Sequence, residues 1–173
     1  MAVRIQQEQP SDVTSVGKLI QRAFALEEHS DQTEHLLVER LRTTEAFIPE
    51  LSLTAVDDGE IIGHLLLTKI TIGEDVSLAL APVSVAPERQ QQGIGSKLIQ
   101  HGLEKAGALG FSSVIVLGHP DYYPKFGFHP ASHWGIEAPF EVPGEYFMAL
   151  ELQPGVLKGI NGTVHYSQPF LET

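Results

Sequence analysis

The sequence predicts an α/β (α+β) fold, with helices on both faces of a mixed, mostly antiparallel sheet. Two strand-like runs flank Asp57-Asp58-Gly59, an acidic turn ending in glycine that is typical of an antiparallel hairpin. From Ser77 to Leu117, a strand, an amphipathic helix and a second strand follow one another, which is the order of a right-handed parallel crossover. Apolar residues at helical spacing from Val13 to Phe24 add a helix before the sheet.

The chain before the hairpin predicts one strand and two helices. Val3 to Gln6 alternates like a strand, and Pro10-Ser11-Asp12 offers the start of the first helix. A polar loop from Glu27 to Gln32 precedes the second helix, for which Asp31 and Glu34, three residues apart, predict a capping box. The buried stripe of this helix is predicted at Leu36, Leu37 and Leu41.

Three central strands are predicted, at Leu53 to Val56, Glu60 to Ile72 and Ser77 to Val85. A turn at Gly73 to Asp75 joins the last two. Pro82 lies in the middle of the third strand. Because proline has no N–H for the ladder, a bulge or a local splay is expected there.

The crossover helix and the remaining strands follow. Apolar residues from Ile94 to Leu109 mark the helix, and Gly110 is well placed to end it. Val114 to Leu117 is a short β-branched run suited to a buried parallel strand. Two further strands are predicted at Tyr146 to Leu152 and near Thr163 to Ser167.

The bulk composition is that of one globular domain covering residues 1–173. Of these residues 42% are hydrophobic and 19% charged, and the N-terminal residues lack the apolar core of a signal peptide. Since the chain has no cysteine, a disulfide framework, a thiolate zinc site and a thiol nucleophile are excluded. These features predict a cytoplasmic protein without a membrane span. The formal net charge of −11 repels polyanions and makes nucleic acid a poor partner.

The most informative segment is RQQQGIGSKL, Arg89 to Leu98, which follows a strand and opens a helix. The first N–H groups of a helix lack intrahelical partners and the helix dipole adds positive charge, so this arrangement predicts phosphate binding. The segment lacks the Gly-Lys-Ser/Thr end of a nucleotide P-loop, and Leu98 stands where the dinucleotide fingerprint has its third glycine. What remains is Gln-x-x-Gly-x-Gly, at Gln90, Gly93 and Gly95. Taken alone, it also fits a plain strand-to-helix connection.

This pattern resembles the pyrophosphate loop of the GCN5-related N-acetyltransferases, which transfer an acetyl group from acetyl-CoA to an amine. LALAPVSVAPERQQQGIGSKLI (78–99) matches the family's central strand and loop, and VIVLGHPDYYPKFGF (114–128) matches its later strand and short helix. Tyr123, Gly127 and Phe128 supply its Tyr-x-x-x-Gly-Phe landmark. LGHPDYYPKFGF with the tail GVLKGINGTVHY is similar to the YhbS-like subgroup. The resemblance implies an acyl-CoA N-acyltransferase fold, splayed between the strands at 78–85 and 113–118, with a motif core at 78–128 and C-terminal strands within 145–168.

The resemblance also implies how acetyl-CoA would bind, as a co-substrate and without a metal. Backbone N–H groups from Gln91 to Ser96 would hold the pyrophosphate, and the backbone of Val83 and Val85 would pair with the pantetheine arm. A main-chain N–H there would also polarise the thioester carbonyl. The implied cofactor-binding residues are Val83, Ser84, Val85, Gln90, Gln91, Gln92, Gly93, Ile94, Gly95, Ser96 and His119.

Tyr123 lies where the family has a tyrosine whose phenol meets the coenzyme sulfur. A phenol with an unperturbed pKa of about 10 would donate a proton to the leaving thiolate or stabilise it by a hydrogen bond. Tyr122 competes for this role, and simple packing beside Phe126 and Phe128 is the alternative for Tyr123. His119 stands where many members have an asparagine, so it would replace that contact, act as a base, or merely pack at a strand end.

No general base is evident from the sequence. Candidates by position are Glu27, Glu28, His29 and His64, and members of the family often work through water. A wall of the acceptor pocket, or simply core, is predicted at Trp134, Phe140 and Tyr146. The histidines without metal-ligand spacing, for which no metal site is expected, are His101, His129, His133 and His165.

The predicted activity is N-acetyl transfer from acetyl-CoA by direct attack of an amine in a ternary complex, since no cysteine is available for a covalent intermediate. The acceptor is left open between an amine-bearing small molecule and a protein terminus. The oligomeric state is left open between monomer and homodimer. Two alternatives remain: a catalytically silent CoA-binding sensor or interaction module, and an O-acyl or longer-chain acyltransferase that uses another acyl-CoA.

Overall fold

Nine strands and three α-helices, with short 3-10 turns between them, occur in the residues that the computed structural model describes, 3–28 and 30–171. None of these helices combines the length and the hydrophobicity that a membrane crossing requires. The helices are α1 (Val13–Phe24), α2 (Glu34–Leu41) and α3 (Ile94–Ala108). The strands are β1 (Arg4–Gln7), β2 (Phe47–Asp57), β3 (Glu60–Ile72), β4 (Asp75–Val85), β5 (Ser113–Leu117), β6 (His129–Pro130), β7 (Ile136–Glu137), β8 (Phe147–Glu151) and β9 (Gly162–His165).

The sheet is mixed and mostly antiparallel, which confirms the predicted fold class. Its main path runs β1-β2-β3-β4-β5-β8-β6, and β9 pairs with the end of β3 and with β7. Within this sheet, β4 with β5 and β7 with β9 are parallel, and the other pairs are antiparallel. The β4–α3–β5 segment is therefore the crossover unit that the sequence predicts.

Alternating apolar residues of β3 give the sheet two covered faces. Leu65 and Leu67 pack with Leu98 and the rest of the apolar stripe of α3, and we call this the α3 face. Leu66 packs with α1 and α2, while Ile70 packs with the C-terminal segment, and we call this the α1 face. Helices on both faces follow from the period-two alternation of a strand buried on both sides.

The central feature is that β4 and β5 are paired only at one end. Their ladder has two pairs, Leu78 with Val114 and Ala79 with Ile115. Opposite Pro82, the register of β4 against β3 shifts between Leu65 and Leu67, so the predicted bulge is confirmed. Beyond it, residues 83–85 pair with β3 alone. We call the space between residues 80–85 of β4 and 116–117 of β5 the gap, and it is the splay that the family resemblance implied.

Two predictions about α2 were wrong, namely its capping box and two of the three residues of its buried stripe. The N-cap of α2 is Thr33, because the Glu34 carboxylate accepts the Ser30 hydroxyl at 2.6 Å and Asp31 accepts the N–H of Thr33 at 3.0 Å. The local Asx turn thus replaces the capping box. The side chains fully buried in α2 are Val38 and Leu41, whereas Leu36 and Leu37 are only partly buried.

The strand β2 begins at Phe47 rather than at Leu53 as predicted. The intervening Pro49 and Glu50 obscure its pattern, and the register with β3 shifts between Phe47 and Ser52. Burial of Ile48 and Leu51 against the core holds this irregular stretch extended. Tertiary packing therefore overrides the local sequence signal here.

A buried polar cluster, which we define as Glu8, Arg42, Ser52 and His64, ties β1 to the sheet. The Arg42 guanidinium donates to both Glu8 carboxylate oxygens, at 2.6 and 3.1 Å. His64 Nε2 lies 2.9 Å from Ser52 Oγ and 3.6 Å from the Glu8 carboxylate. Burial first, and then the charge of Arg42, lower the pKa of His64 to about 3. The imidazole is therefore neutral at physiological pH.

The end of α3 provides a stability test with an internal control. Gly110 has φ +93°, and the N–H of Phe111 donates to the Ala106 carbonyl at 3.1 Å, a Schellman arrangement. Gly110→Ala is expected to cost about 1–2 kcal/mol because alanine is strained at positive φ. Gly107→Ala is expected to stabilise by about 1 kcal/mol because its Cβ meets nothing within 4 Å. Thermal unfolding should shift by about 2–4 °C per kcal/mol in opposite directions, and shifts of the same sign would contradict this assignment.

The buried polar cluster predicts a pH dependence of stability. The pKa of His64 is lower in the folded protein than in the unfolded chain, where a histidine has a pKa of about 6.5. The free energy of unfolding is therefore unaffected by His64 titration above pH 6.5. Below that pH it falls by about 1.4 kcal/mol per pH unit, until the pKa of the folded state is reached. Urea unfolding at neutral and mildly acidic pH measures this dependence. In the His64→Gln variant, the free energy of unfolding should no longer show this fall between the two pH values. The exposed His101→Gln variant should retain the wild-type pH slope.

Candidate active site

The loop before α3 presents a row of unpaired backbone N–H groups. Gly93 is the N-cap of α3 at φ +81°, and Gln91 also has a positive φ, of +63°. The first N–H that donates within this turn is that of Lys97, to the Gly93 carbonyl at 3.0 Å. Within the described ranges, no backbone acceptor pairs with the N–H groups from Gln91 to Ser96. They border a cleft of about 410 Å³, so the loop has the geometry of an anion site.

Side chains of this loop fix its backbone. Gln90 Nε2 donates to the Val85 carbonyl at 3.2 Å, which ties the loop to the end of β4. The Arg89 guanidinium donates to Asp57 at 2.8 Å and to the Gln92 side chain at 3.2 Å. These contacts fix the position of the loop. They leave its backbone N–H groups unpaired, because the glutamine and arginine side chains bind other partners.

Two cations add to the field of the N–H groups. Arg89 and Lys125 both line the cleft, and the Lys125 ammonium lies 4.0 Å from the centroid of the Tyr122 ring. The arginine charge is partly offset by Asp57. An anion in the cleft would therefore meet helix-terminal amides and positive side chains together, although the whole chain carries a formal charge of −11.

The end of β4 borders both the cleft and the gap. Val83 and Val85 direct partly buried side chains to the α3 face, where they pack beside buried Ile94. Ser84 is buried, its register partner in β3 is His64, and its Oγ has no hydrogen-bond partner within the described residues. The backbone, rather than the valine side chains, is therefore the part of this strand that is available at the gap.

A short 3-10 turn, Tyr123–Phe126, holds two tyrosines beside the cleft. The carbonyl of His119 accepts the N–H of Tyr122 at 3.1 Å and that of Tyr123 at 3.3 Å. The Tyr122 hydroxyl lies 2.9 Å from Ser96 Oγ, so it closes against the N-terminus of α3. Any Cβ at Gly118 would overlap the Tyr123 ring, which makes the glycine at the end of β5 necessary for this packing.

Tyr123 combines a buried ring with an uncommitted hydroxyl. Its ring meets Phe128 edge-on, with centroids 5.8 Å apart. Burial, with a smaller contribution from Tyr122, raises the pKa of Tyr123 to about 12. Its hydroxyl has no hydrogen-bond partner among the described residues. Tyr123 is therefore a neutral hydrogen-bond donor at physiological pH, whereas the Tyr122 hydroxyl is engaged by Ser96.

His119 lies at the exit of β5 and is exposed. Its Nδ1 accepts the N–H of Asp121 at 3.3 Å, and its ring meets Tyr146 edge-on at 6.0 Å between centroids. These two local contacts at the end of the strand are sufficient to explain the position of the His119 ring. Its main-chain carbonyl, which begins the turn that holds the tyrosines, makes the more direct contribution to the site.

The candidate bases are not brought together. Glu27 and Glu28 are exposed in the loop after α1, and His29 falls outside the described residues. His64 is enclosed in the buried polar cluster and lines neither the cleft nor the cavity described next. Across the described residues, no three His, Asp or Glu side chains form a group that could hold a metal ion.

An apolar cavity of about 230 Å³ opens on the α1 face, at the gap. It is bordered by β4, by β5 and by aromatic residues near the C-terminus. Of the aromatic residues predicted to wall an acceptor pocket, Phe140 lines this cavity, whereas Trp134 and Tyr146 do not. The cavity and the cleft thus lie on opposite sides of the same interruption in the sheet.

Several residues of these two sites could not be recognised from the sequence. Gly118 and Lys125 lie within the segment that resembles the family, but only their three-dimensional contacts reveal what they do. Tyr166 and Phe170 reach the cavity from the last part of the chain. Tyr166 lies in the predicted last strand and Phe170 follows that strand, so sequence spacing alone does not associate either residue with the gap.

Comparisons with known proteins show the family to which this chain belongs. A model of the acetyltransferase (GNAT) family matches residues 16–128. The chain is 36% identical over 159 residues to the uncharacterised N-acetyltransferase YjhQ of Escherichia coli strain K12, which covers 86% of this chain and 85% of YjhQ. It is 30% identical over 173 residues to YhbS of the same strain, also an uncharacterised N-acetyltransferase, with 98% of each chain covered.

Two solved structures are closely similar. The crystal structure of Escherichia coli YhbS in complex with CoA superposes with a TM-score of 0.90 at 26% identity, covering 98% of this chain and 92% of that one. A GNAT family acetyltransferase from Brucella melitensis, in complex with acetyl-CoA, gives a TM-score of 0.82 at 32% identity, with 98% of each chain covered. Sequence, fold and the geometry of the glycine loop agree, and the chain belongs to the GNAT family of acetyltransferases.

Proposed function

We propose that this protein transfers an acetyl group from acetyl-CoA to the amine of an acceptor, by direct attack in a ternary complex. The observation that carries the proposal is the gap between β4 and β5, which adjoins a cleft bordered by the unpaired N–H groups of Gln91 to Ser96. One ligand that has both a pyrophosphate and an extended amide-containing arm complements both features.

The cleft fits the pyrophosphate of CoA. N–H groups from Gln91 to Ser96 would donate to the phosphate oxygens, while Arg89 and Lys125 would add positive charge. The crystal structures of YhbS with CoA and of the Brucella melitensis acetyltransferase with acetyl-CoA support the same ligand class for this chain.

The gap fits the pantetheine arm. Backbone groups of β4 around Val83, Ser84 and Val85 have β3 on one side and no strand on the other. Unpaired backbone groups in a sheet require partners, and the amides of pantetheine would supply them in the manner of an added strand. A main-chain N–H in this stretch would also polarise the thioester carbonyl.

The transfer itself requires one bond to form as another breaks. The amine nitrogen attacks the thioester carbonyl carbon, the C–S bond breaks, and the leaving thiolate takes up a proton while the amine loses one. Tyr123 would donate that proton or a hydrogen bond to the sulfur, since its hydroxyl is neutral and uncommitted. Since the chain has no cysteine, direct attack is favoured over a covalent enzyme intermediate. We extend this proposal to one catalytic domain over residues 1–173.

Cofactor binding is tested by two substitutions in one loop. Gly93→Pro fixes φ near −65°, against the observed +81°, so it should disrupt the N–H row and lower acetyl-CoA affinity at least tenfold in calorimetry. Gln91→Ala keeps the main chain and removes an exposed side chain, so its affinity should stay within a few-fold of wild type. Nearly equal affinities for the two variants would contradict binding through the backbone.

The role of Tyr123 is tested against its neighbour. Tyr123→Phe keeps the buried ring and removes the hydroxyl, so kcat should fall at least several-fold with acetyl-CoA affinity unchanged. Tyr122→Phe is the matched control, because it removes the hydroxyl that meets Ser96. The measurement is release of free thiol from acetyl-CoA with a panel of amines. A larger loss of kcat in Tyr122→Phe would reassign the role, and CoA binding without thiol release from any amine would favour a silent CoA-binding module.

A further inference from the structure

The apolar cavity lies where a group passing through the gap would emerge on the α1 face. Ala79 and Ala81 of β4 border it on one side, and Ile115 and Leu117 of β5 on the other. Ala79 and Ile115 are the last ladder pair before the strands part. The cavity therefore begins where strand pairing stops, on the side of the sheet opposite the cleft that presents the N–H groups.

The outer wall of this cavity is aromatic. Phe140 and Tyr166 are stacked with centroids 6.1 Å apart, and Tyr166 meets Phe170 at 5.1 Å. Tyr166 is the one residue with a polar side chain among the described residues that line the cavity. Burial raises the pKa of Tyr166 to about 12, so its phenol is uncharged at physiological pH. Among the described residues, no lining side chain carries a charge that could neutralise one on a ligand.

This lining restricts the chemistry of an occupant. A carboxylate or a second ammonium in the cavity would lose part of its hydration and gain no counter-charge from the described lining, which is unfavourable. The volume of about 230 Å³ also sets a size limit, since an engineered cavity of about 150 Å³ holds one benzene molecule. A ring with a short side chain fits, and its faces would meet the aromatic wall.

The same lining bears on the protonation state of an amine acceptor. An apolar environment disfavours the ammonium form and lowers the pKa of a buried amine. The neutral form, which is the nucleophile, is thereby favoured at the gap. Thus desolvation performs part of the work of a general base, and no carboxylate or imidazole lines the cavity within the described residues.

We propose, on the basis of the function proposed above, that the acceptor is a monoamine whose body is apolar and about the size of one aromatic ring, and that this body occupies the apolar cavity. Arylalkylamines represent the class. Free amino acids and polyamines are disfavoured, because each carries a second charge into a neutral lining.

Two substrate pairs isolate the second charge. 2-Phenylethylamine and phenylalanine differ by one carboxylate, and butylamine and 1,4-diaminobutane differ by one amino group. With acetyl-CoA and a thiol-release assay, kcat/KM should be at least tenfold higher for the first member of each pair. Equal or reversed values in both pairs would overturn the inference and leave acetyl transfer established.

A charge placed in the cavity should change this preference. Leu117 is 49% exposed, so Leu117→Glu should fold, and it should lower kcat/KM for 2-phenylethylamine at least tenfold while raising it for 1,4-diaminobutane. Val76→Glu is the matched control, since Val76 is an exposed strand residue, at 52%, that does not line the cavity. It should keep the wild-type preference. A Leu117→Glu variant that keeps the amine preference and instead changes the preference among acetyl-, butyryl- and hexanoyl-CoA would overturn the inference, because the cavity would then hold the acyl chain.

Binding distinguishes failure of this inference from failure of the proposed function. Binding of 2-phenylethylamine to the CoA-loaded protein is measured by calorimetry, and this measurement requires no turnover. Binding that is lost in Leu117→Glu and kept in Val76→Glu supports the apolar amine site, whether or not thiol is released from acetyl-CoA. Absence of thiol release would overturn only the proposed transferase activity. Absence of binding to the CoA-loaded wild-type protein would overturn the inference.

Discussion

The incomplete pairing of β4 with β5 is the constraint on which the rest of this structure depends. A sheet normally pairs its internal strands throughout, because an unpaired N–H or C=O in a buried position is costly. Here the ladder between the two strands has only two pairs, at Leu78 and Ala79 of β4, and the buried hydroxyls of Ser77 and Ser113, 2.8 Å apart, secure this paired end. The remainder of β4 is kept extended by β3 alone. The backbone groups of β4 that face the gap therefore have no strand partner, and in the proposed function the amides of pantetheine would supply one.

Close packing of α3 on β3 keeps the N–H row at a fixed distance from that gap. Gly63 of β3 has no room for a side chain, because a Cβ there would lie 3.0 Å from Leu98 Cδ1 and 3.2 Å from Ala55 Cβ. Gly102 of α3 has a similar contact, at 2.9 Å from Leu65 Cδ2. Small residues at facing positions let the helix approach the sheet closely. The N-terminal end of α3 and the part of β4 that faces the gap are thereby joined through one packed core.

The local features of this unit could be predicted from the sequence, whereas the long-range ones could not. The glycine loop, the bulge at Pro82 and the end of α3 at Gly110 each depend on the conformational limits of one or two residues. The capping box at Asp31 failed because two local hydrogen bonds competed for the same groups, and Ser30 prevailed. Three features depend instead on partners that are distant in the sequence. They are the start of β2 at Phe47, the burial of His64 and the aromatic wall of the cavity.

The gap also separates two chemically different environments. On the α3 face, backbone N–H groups and two cationic side chains suit a polyanionic donor in spite of the formal net charge of −11. On the α1 face, the apolar cavity has no formal charge in its described lining. A phosphorylated donor is therefore disfavoured in the cavity, and a neutral apolar amine gains little from the cleft. In the proposed reaction each substrate would approach from its own side of the sheet, and the reacting atoms would meet where β4 and β5 part.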